Sequence, residues 1–154
     1  MRLVVAVVGK ARNPALGEAI RDYETRAARY WPLDVHEVRE ERASGGSIER
    51  VKEKEGVRLA ERIPERAHVV ACEQGGKALD SNQFAEFLQR AREEDRDVAF
   101  IIGGAFGLTG EVSARASTKL SLAPWTLPHE IARLVLAEQL YRAGTIVRGE
   151  PYHK

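Results

Sequence analysis

Four short apolar runs, Leu3–Val8, His68–Cys72, Val98–Ile102 and Leu120–Ala123, constrain this chain more than any other feature. They are strand-length, and the first three are rich in β-branched residues, so they read as buried strands. A weaker alternating run, Leu33–Val38, adds a fifth. Segments of helical period lie between them. Ala15–Tyr30 puts Leu16, Ile20, Tyr23 and Ala27 on one face. Ile48–Ile63 carries many charges and few apolar residues, which predicts a solvated surface helix. Gln83–Arg92 follows Asp80-Ser81, a capping pair, and turns Phe84, Phe87 and Leu88 inward. Strand alternating with helix predicts parallel strands joined by crossovers, an α/β sheet covered on both faces. Ligands of such sheets sit beyond the carboxyl ends of the strands. That directs attention to three loops: Glu73–Lys77, Gly103–Gly110 and Ala123–Pro128.

A chain of 154 residues suits one domain, taken here as 1–154, with no internal repeat. Ala43-Ser44-Gly45-Gly46-Ser47 is the most flexible-looking stretch. The opening apolar run is too short for a signal peptide, and no run approaches a membrane span. With one cysteine, the expectation is a soluble cytoplasmic protein without a disulfide scaffold or a multi-cysteine metal site. No His/Asp/Glu set has ligand spacing, so no metal is expected. Net charge is +1, distributed as +3 over residues 1–32, −1 over 33–66, −2 over 67–128 and +1 over 129–154. A basic patch for nucleic acid forms only if the two ends of the chain meet, within one copy or across a dimer.

The glycine-rich stretch Gly103-Gly104-Ala-Phe-Gly107-Leu-Thr-Gly110 follows a strand and precedes a helix. Its spacing is neither the dinucleotide fingerprint nor a P-loop; it is a tight turn or a loop whose backbone approaches a ligand. Val8-Gly9-Lys10 lacks the flanks of a phosphate loop and reads as a turn. Cys72, ending an apolar strand, reads as a small buried side chain rather than a nucleophile. The last quarter is distinctive. Pro128 suits a first-turn position and Thr126 or a neighbour a cap for a helix over Glu130–Ala143, stopped by Gly144. Ile131, Leu134, Val135, Leu136, Ala137, Leu140 and Tyr141 cover more than one face of it, which predicts enclosure and an oligomer interface. His129, Arg133, Glu138 and Arg142 lie on or beside this helix, with Tyr152 and His153 in the tail. Glu138 and Arg142 have the spacing of an ordinary surface ion pair.

Four stretches, in this order and at these separations, carry a family resemblance. They are Phe100–Leu108, Leu120–Glu130 with its Thr126-Leu127-Pro128-His129 core, Glu138–Ala143, and the ending Gly149-Glu-Pro-Tyr-His-Lys154. The opening strand with Gly9-Lys10 agrees, and the likeness spans the whole chain. The sequence resembles the SPOUT superfamily of S-adenosylmethionine-dependent RNA methyltransferases. Within it, the chain is similar to the single-domain branch that methylates N3 of a pseudouridine in large-subunit ribosomal RNA. The resemblance implies an α/β/α fold around a parallel sheet, with a C-terminal trefoil knot that breaks the usual rule against threading. It implies a homodimer in which one copy's tail completes the other's site. The implied cofactor loops are Cys72, Gly103-Gly104 and the run Ala123, Pro124, Trp125, Thr126, Leu127 and Pro128. Cys72 stands where the family has an aliphatic residue and Trp125 where it has a smaller one.

The implied substrate is a pseudouridine in the helix 69 loop of 23S rRNA within the assembled 70S ribosome. Methyl transfer from a sulfonium needs no metal, but the N3 proton must leave, so a base or an anion-stabilising cation helps. Arg142, Tyr152 and His153 form the expected substrate-side set, joined by His129; Glu138 is a further candidate base and Arg133 a further cation. Three other readings stand beside this one. The first is a SPOUT methyltransferase acting on tRNA, and the second a non-catalytic knotted dimer associated with the ribosome. The third is an α/β nucleotide-binding enzyme such as a phosphate-ester hydrolase; against it, no acidic cluster stands at the strand ends to hold Mg²⁺.

Overall fold

The structure, a computed structural model, describes residues 1–43 and 46–154, so Ser44 and Gly45 of the expected flexible stretch lie outside it. Ten elements follow in order: β1 (Leu3–Val8), α1 (Pro14–Ala27), β2 (Leu33–Val38), α2 (Ile48–Ala60), β3 (His68–Ala78), α3 (Ser81–Glu93), β4 (Val98–Ile102), α4 (Gly110–Arg115), β5 (Thr118–Ser121) and α5 (His129–Val147). The strands form one sheet in the order β2-β1-β4-β3-β5, and every neighbouring pair is parallel. The expected α/β architecture is therefore present.

Alternation along β1 divides the core. Leu3, Val5 and Val7 pack with Leu88 of α3 and with Leu136 and Leu140 of α5, whereas Ala6 and Val8 pack with Leu59 of α2 and Val112 of α4. Both faces are covered, as a parallel sheet requires. Trp31, 1% exposed, joins the layers at one end: its indole N–H donates to the Leu140 carbonyl at 2.9 Å. The Arg92 guanidinium lies 4.0 Å from the centroid of the same ring.

Helix starts follow sequence chemistry. Asn13 caps α1 by accepting from the amides of Ala15 and Leu16, with Pro14 next to it. Asp80 and Gln83 form a reciprocal capping box on α3. Four expectations need correction. First, α5 runs through Gly144 to Val147 instead of stopping there. Gly144 is present because Tyr30 lies against it: a Cβ would stand 2.3 Å from Tyr30 Cγ. The left-handed residue beyond the helix is Gly149, at φ 67°. Second, Thr126 does not cap α5; Pro128 occupies the cap position without a side-chain bond. Third, α2 is not a wholly solvated helix, since Val51, Glu55, Gly56 and Leu59 are buried. Fourth, the last strand is Thr118–Ser121, two residues earlier than its apolar run, and β3 extends to Ala78. Both Cys72 and Lys77 align with Leu120, so Glu73–Gly76 bulges out of the ladder between them.

His68 opens β3 half-buried, with Nε2 2.7 Å from the Thr118 hydroxyl and its ring edge-on to Phe87 at 5.3 Å. Burial, with Arg96 nearby, holds its pKa below the ordinary 6.5. A histidine depressed in the folded state binds fewer protons there than in the unfolded chain. Its contribution is complete above 6.5 and is lost as pH falls through the folded value. The unfolding midpoint is expected to drop from pH 7 to pH 5 by less in His68→Gln than in the parent. Parallel pH curves for the two proteins would refute this.

Candidate functional site

A cavity of about 740 Å³ opens at the bulge of β3, where its first ladder ends, and at the carboxyl end of β4, bounded by the loop between β5 and α5. This is where an open parallel sheet places its ligands. Its wall is made by Cys72–Gly75, Ile102–Leu108, and Leu122 to His129 with Pro124 omitted, and Ala132 closes the base. Of the residues expected at a cofactor site, Cys72, Gly103, Gly104, Ala123, Trp125, Thr126, Leu127 and Pro128 line it. Pro124 does not; its carbonyl is turned to the Gln74 side-chain amide at 3.1 Å. His129, the first residue of α5, sits on the rim.

The glycine-rich wall is a turn that only small residues permit. Gly104 and Gly107 pair as an isolated antiparallel bridge, with the Gly107 amide donating to the Gly104 carbonyl at 3.0 Å. Gly107 adopts φ 80°, and a Cβ on Gly103 would stand 2.6 Å from the Gly107 carbonyl carbon. Thr109 then caps α4 by accepting from the Val112 amide. Behind the turn lies Glu55 of α2, 3% exposed. Its Oε1 has no hydrogen-bond partner among the described residues, its Oε2 accepts from the Glu41 amide, and a Cβ on Gly104 would meet the carboxylate at 3.0 and 3.2 Å. Burial pushes the Glu55 carboxyl above the usual range, against the bond from Glu41.

The opposite wall is held by Gln74, which the sequence reading did not single out. Its amide nitrogen donates to Pro124 O and its oxygen accepts from the Thr126 hydroxyl at 2.8 Å, so one side chain fixes the Ala123–Pro128 loop at two points. Ser121 adds a bond to the Ala123 carbonyl at 2.7 Å, and Glu73 accepts from Ser113 of α4 at 3.0 Å. The sequence signal for Glu73 and Gln74 was their place in the Glu73–Lys77 loop, expected beyond the end of a strand. A Cβ on Gly76 would stand 2.6 Å from the Lys119 backbone. Trp125, 78% exposed, stands at the mouth. Burial, with the Glu73 charge, pushes the Cys72 thiol up to about 12, so it remains a thiol at neutral pH and serves as wall.

Arg142, Tyr152 and His153 come together, but away from this chain's own cavity. Arg142 holds Glu138 Oε1 through Nε and a terminal nitrogen at 2.9 and 2.6 Å, and Tyr152 donates to the same oxygen at 3.0 Å. A terminal Arg142 nitrogen reaches His153 Nδ1 at 3.2 Å, which, with Arg142 donating, leaves the imidazole proton on Nε2. The Arg142 guanidinium lies over the Tyr152 ring at 4.7 Å, and Tyr152 packs on Tyr141, itself against Tyr23 and Tyr30. Burial and hydrogen bonds with Tyr23 and Glu138 raise the Tyr152 pKa, so it is a donor. Arg133, a candidate cation, is not available to a substrate. It is 8% exposed and bonded to Glu24 at 2.8 Å and Glu37 at 2.8 Å. No group of three or more His, Cys, Asp or Glu able to hold a metal occurs among the described residues, and none of their helices is long and apolar enough to cross a membrane.

Comparison with known proteins places this geometry. The family described as "Predicted SPOUT methyltransferase" matches residues 1–153. A protein of Gemmatimonas aurantiaca named "Ribosomal RNA large subunit methyltransferase H" is 60% identical over 154 residues, covering all of both chains. Proteins of the same name from Syntrophotalea carbinolica and Listeria welshimeri are each 41% identical, covering 99% and 100% of both chains respectively. Among solved structures, a probable methylase family protein from Haemophilus influenzae superposes with TM-score 0.57 at 14% identity, over 99% of this chain and 70% of that one. A probable methyltransferase from Bordetella pertussis gives 0.52 at 14%, over 92% and 95%. At such identities the structural likeness speaks for the fold alone. With a family match from the first residue to the last but one, and a full-length relative at 60% identity, the chain belongs to the SPOUT methyltransferase family.

Proposed function

We propose that this protein transfers a methyl group from S-adenosylmethionine to N3 of a pseudouridine in the helix 69 loop of 23S rRNA, acting in the cytoplasm as a homodimer on assembled 70S ribosomes. The observation that carries this reading is 60% identity over the full length to a protein named ribosomal RNA large subunit methyltransferase H.

The cavity suits such a cofactor. Its volume of about 740 Å³ matches a ligand built of a nucleoside and an amino acid. Its walls are largely apolar side chains and glycine-rich backbone, with Glu73, Gln74, Thr126 and His129 as polar contributors, and the close approach of Gly107 to Gly103 leaves no room there for a side chain. Cys72, Gly103, Gly104 and the Ala123–Pro128 run would hold the group, Pro124 through the placement of its loop. The cofactor, when bound, supplies a methyl group on a sulfonium, and a neutral thioether leaves. The rest falls to this chain's residues. His129, on the rim, is assigned as acceptor of the N3 proton. Arg142, Tyr152 and His153, away from their own chain's cavity, are assigned to the site of a second copy. There the guanidinium offsets charge developing on the imide. Packing of α5 between α1 and α3, with the Ala123–Pro128 loop pinned to β3 through Gln74, supports the C-terminal trefoil knot as part of this reading.

The test incubates the purified protein with radiolabelled S-adenosylmethionine and 70S ribosomes lacking this methyl group, with free rRNA and tRNA in parallel. Label recovered as N3-methylpseudouridine from ribosomes is the expected result; label on tRNA alone, or none, overturns it. In the same assay Arg142→Ala is expected to lower kcat about a hundredfold, the usual cost of removing one charge-stabilising donor. Cofactor affinity should stay unchanged, and Arg142→Lys should recover part of the rate. Normal turnover in Arg142→Ala, Tyr152→Ala and His153→Ala would remove the substrate-side assignment.

A further inference from the structure

A second cleft, of about 590 Å³, lies between the chain that leaves β2 and the first turns of α2, and its lining is almost wholly charged. Arg39, Glu40, Glu41 and Arg42 from the segment after β2 and Arg50 and Lys54 from α2 line it, and Val51 is the one apolar contributor. Both acids are already neutralised from outside or within. Arg12 pairs with Glu40, while Arg58 and Lys54 pair with Glu41, whose carboxyl is held below the usual range chiefly by the bond from Arg58. Arg39, Arg42 and Arg50 have no acidic partner within ion-pair distance among the described residues. The two undescribed neighbours, Ser44 and Gly45, carry no charge that could pair with them. Three exposed guanidiniums thus line an open cleft without an ion-pair partner among the described residues.

The position of the cleft matters as much as its charge. Glu55 separates it from the methyl-transfer cavity: one face of that carboxylate takes the Glu41 amide at 3.1 Å, and the other abuts Gly104 of the glycine turn. Glu41 lines the cleft and Gly104 lines the cavity, so the two concavities are neighbours with the buried Glu55 carboxylate between them. Planar guanidiniums make paired bonds to phosphate oxygens, and a lining with so little apolar surface suits a charged backbone rather than a hydrophobic segment.

We propose that Arg39, Arg42 and Arg50 form a docking groove for the phosphodiester backbone of the RNA substrate flanking the modified base. This rests on the RNA methyltransferase reading above. Contacts of this kind position without reading sequence, so their loss weakens binding and its salt dependence and leaves chemistry alone.

The experiment compares the parent with the triple variant Arg39→Gln, Arg42→Gln, Arg50→Gln, measuring equilibrium binding to unmethylated 70S ribosomes at several salt concentrations, together with KM, kcat and cofactor affinity. A control triple, Arg62→Gln, Arg66→Gln, Arg90→Gln, removes equal charge elsewhere. The cleft variant is expected to bind ribosomes about tenfold or more weakly at moderate salt, with the log–log salt slope reduced by about 2 to 3. Its KM should rise with kcat at saturation and cofactor affinity unchanged, and the control should match the parent. Unchanged affinity and slope in the cleft variant, or an equal loss in the control, overturns the groove. A parent that binds ribosomes but methylates nothing overturns the functional reading instead, and the binding arm still judges the cleft.

Discussion

Replacing Arg133 with methionine is expected to lower the unfolding free energy by about 3 kcal/mol, the low end of the cost of breaking a buried ion pair. Arg133 projects from α5 to Glu24 of α1 and to Glu37 of β2, tying three elements at one point. Methionine fills much of the volume but leaves the Glu24 and Glu37 carboxylates without their shared cation, Glu24 largely shielded from water. Glu37 is one-third exposed, which keeps the loss from being larger. In thermal unfolding the change corresponds to a fall of about 6–12 °C for a chain of this size. Adding Glu24→Gln and Glu37→Gln to the methionine variant should recover most of the loss, because the penalty lies in the unpaired charges. An unchanged midpoint in Arg133→Met, measured by urea titration with an unaltered slope, would mean the network contributes nothing.

Gly103→Ala carries the other large effect, on the cofactor site. The added methyl would stand 2.6 and 2.7 Å from the carbonyl carbon and oxygen of Gly107, and backbone cannot swing aside as a side-chain tip can. The Gly104–Gly107 bridge must open or the turn must shift toward the cavity. Affinity for S-adenosylmethionine is expected to fall about a hundredfold, equivalent to roughly 2.7 kcal/mol. Gly110→Ala is the matched control, since nothing lies within 4 Å of its added carbon. Isothermal titration gives both affinities, and far-UV circular dichroism confirms that the sheet survives. Equal affinities in the two variants would remove the glycine turn from the binding surface.

These two residues mark the limits of reading the sequence alone. The glycine spacing pointed to the turn because backbone proximity has a local signature. Arg133 gave no such signature: its helical position could equally have offered a cation to RNA, and only the placement of Glu24 and Glu37, distant in sequence, consumes it. Strands β1, β2 and β4 were legible to the residue, since continuous or alternating apolar runs depend on burial, which composition encodes. The bulge at Glu73–Gly76 was not, because it depends on the backbone of β5 lying against Gly76 and on Gln74 reaching a loop some fifty residues away. Gly144 misled for a similar reason. A glycine late in a helix ordinarily signals a stop, whereas here it makes room for Tyr30. Helix α2 shows the converse, a charged helix whose few apolar positions suffice because Leu59 packs with Ala6 and Val8 of the sheet and Val112 of α4.

The strand order has a consequence for how the chain is made. The first strand synthesised lies inside the sheet, with Leu3 opposite Leu33 on one side and opposite Val98 on the other. One edge of β1 thus waits unpaired until much of the polypeptide has emerged, and the apolar surface shared by α1 and α5 closes only when the final helix arrives. Such late, long-range closure slows folding and prolongs the life of open edges and bare apolar faces. A nascent chain halted before residue 129 would carry all five strands but leave bare the apolar surface that α5 covers. Completion of the last helix is therefore the event that converts an aggregation-prone intermediate into the finished protein.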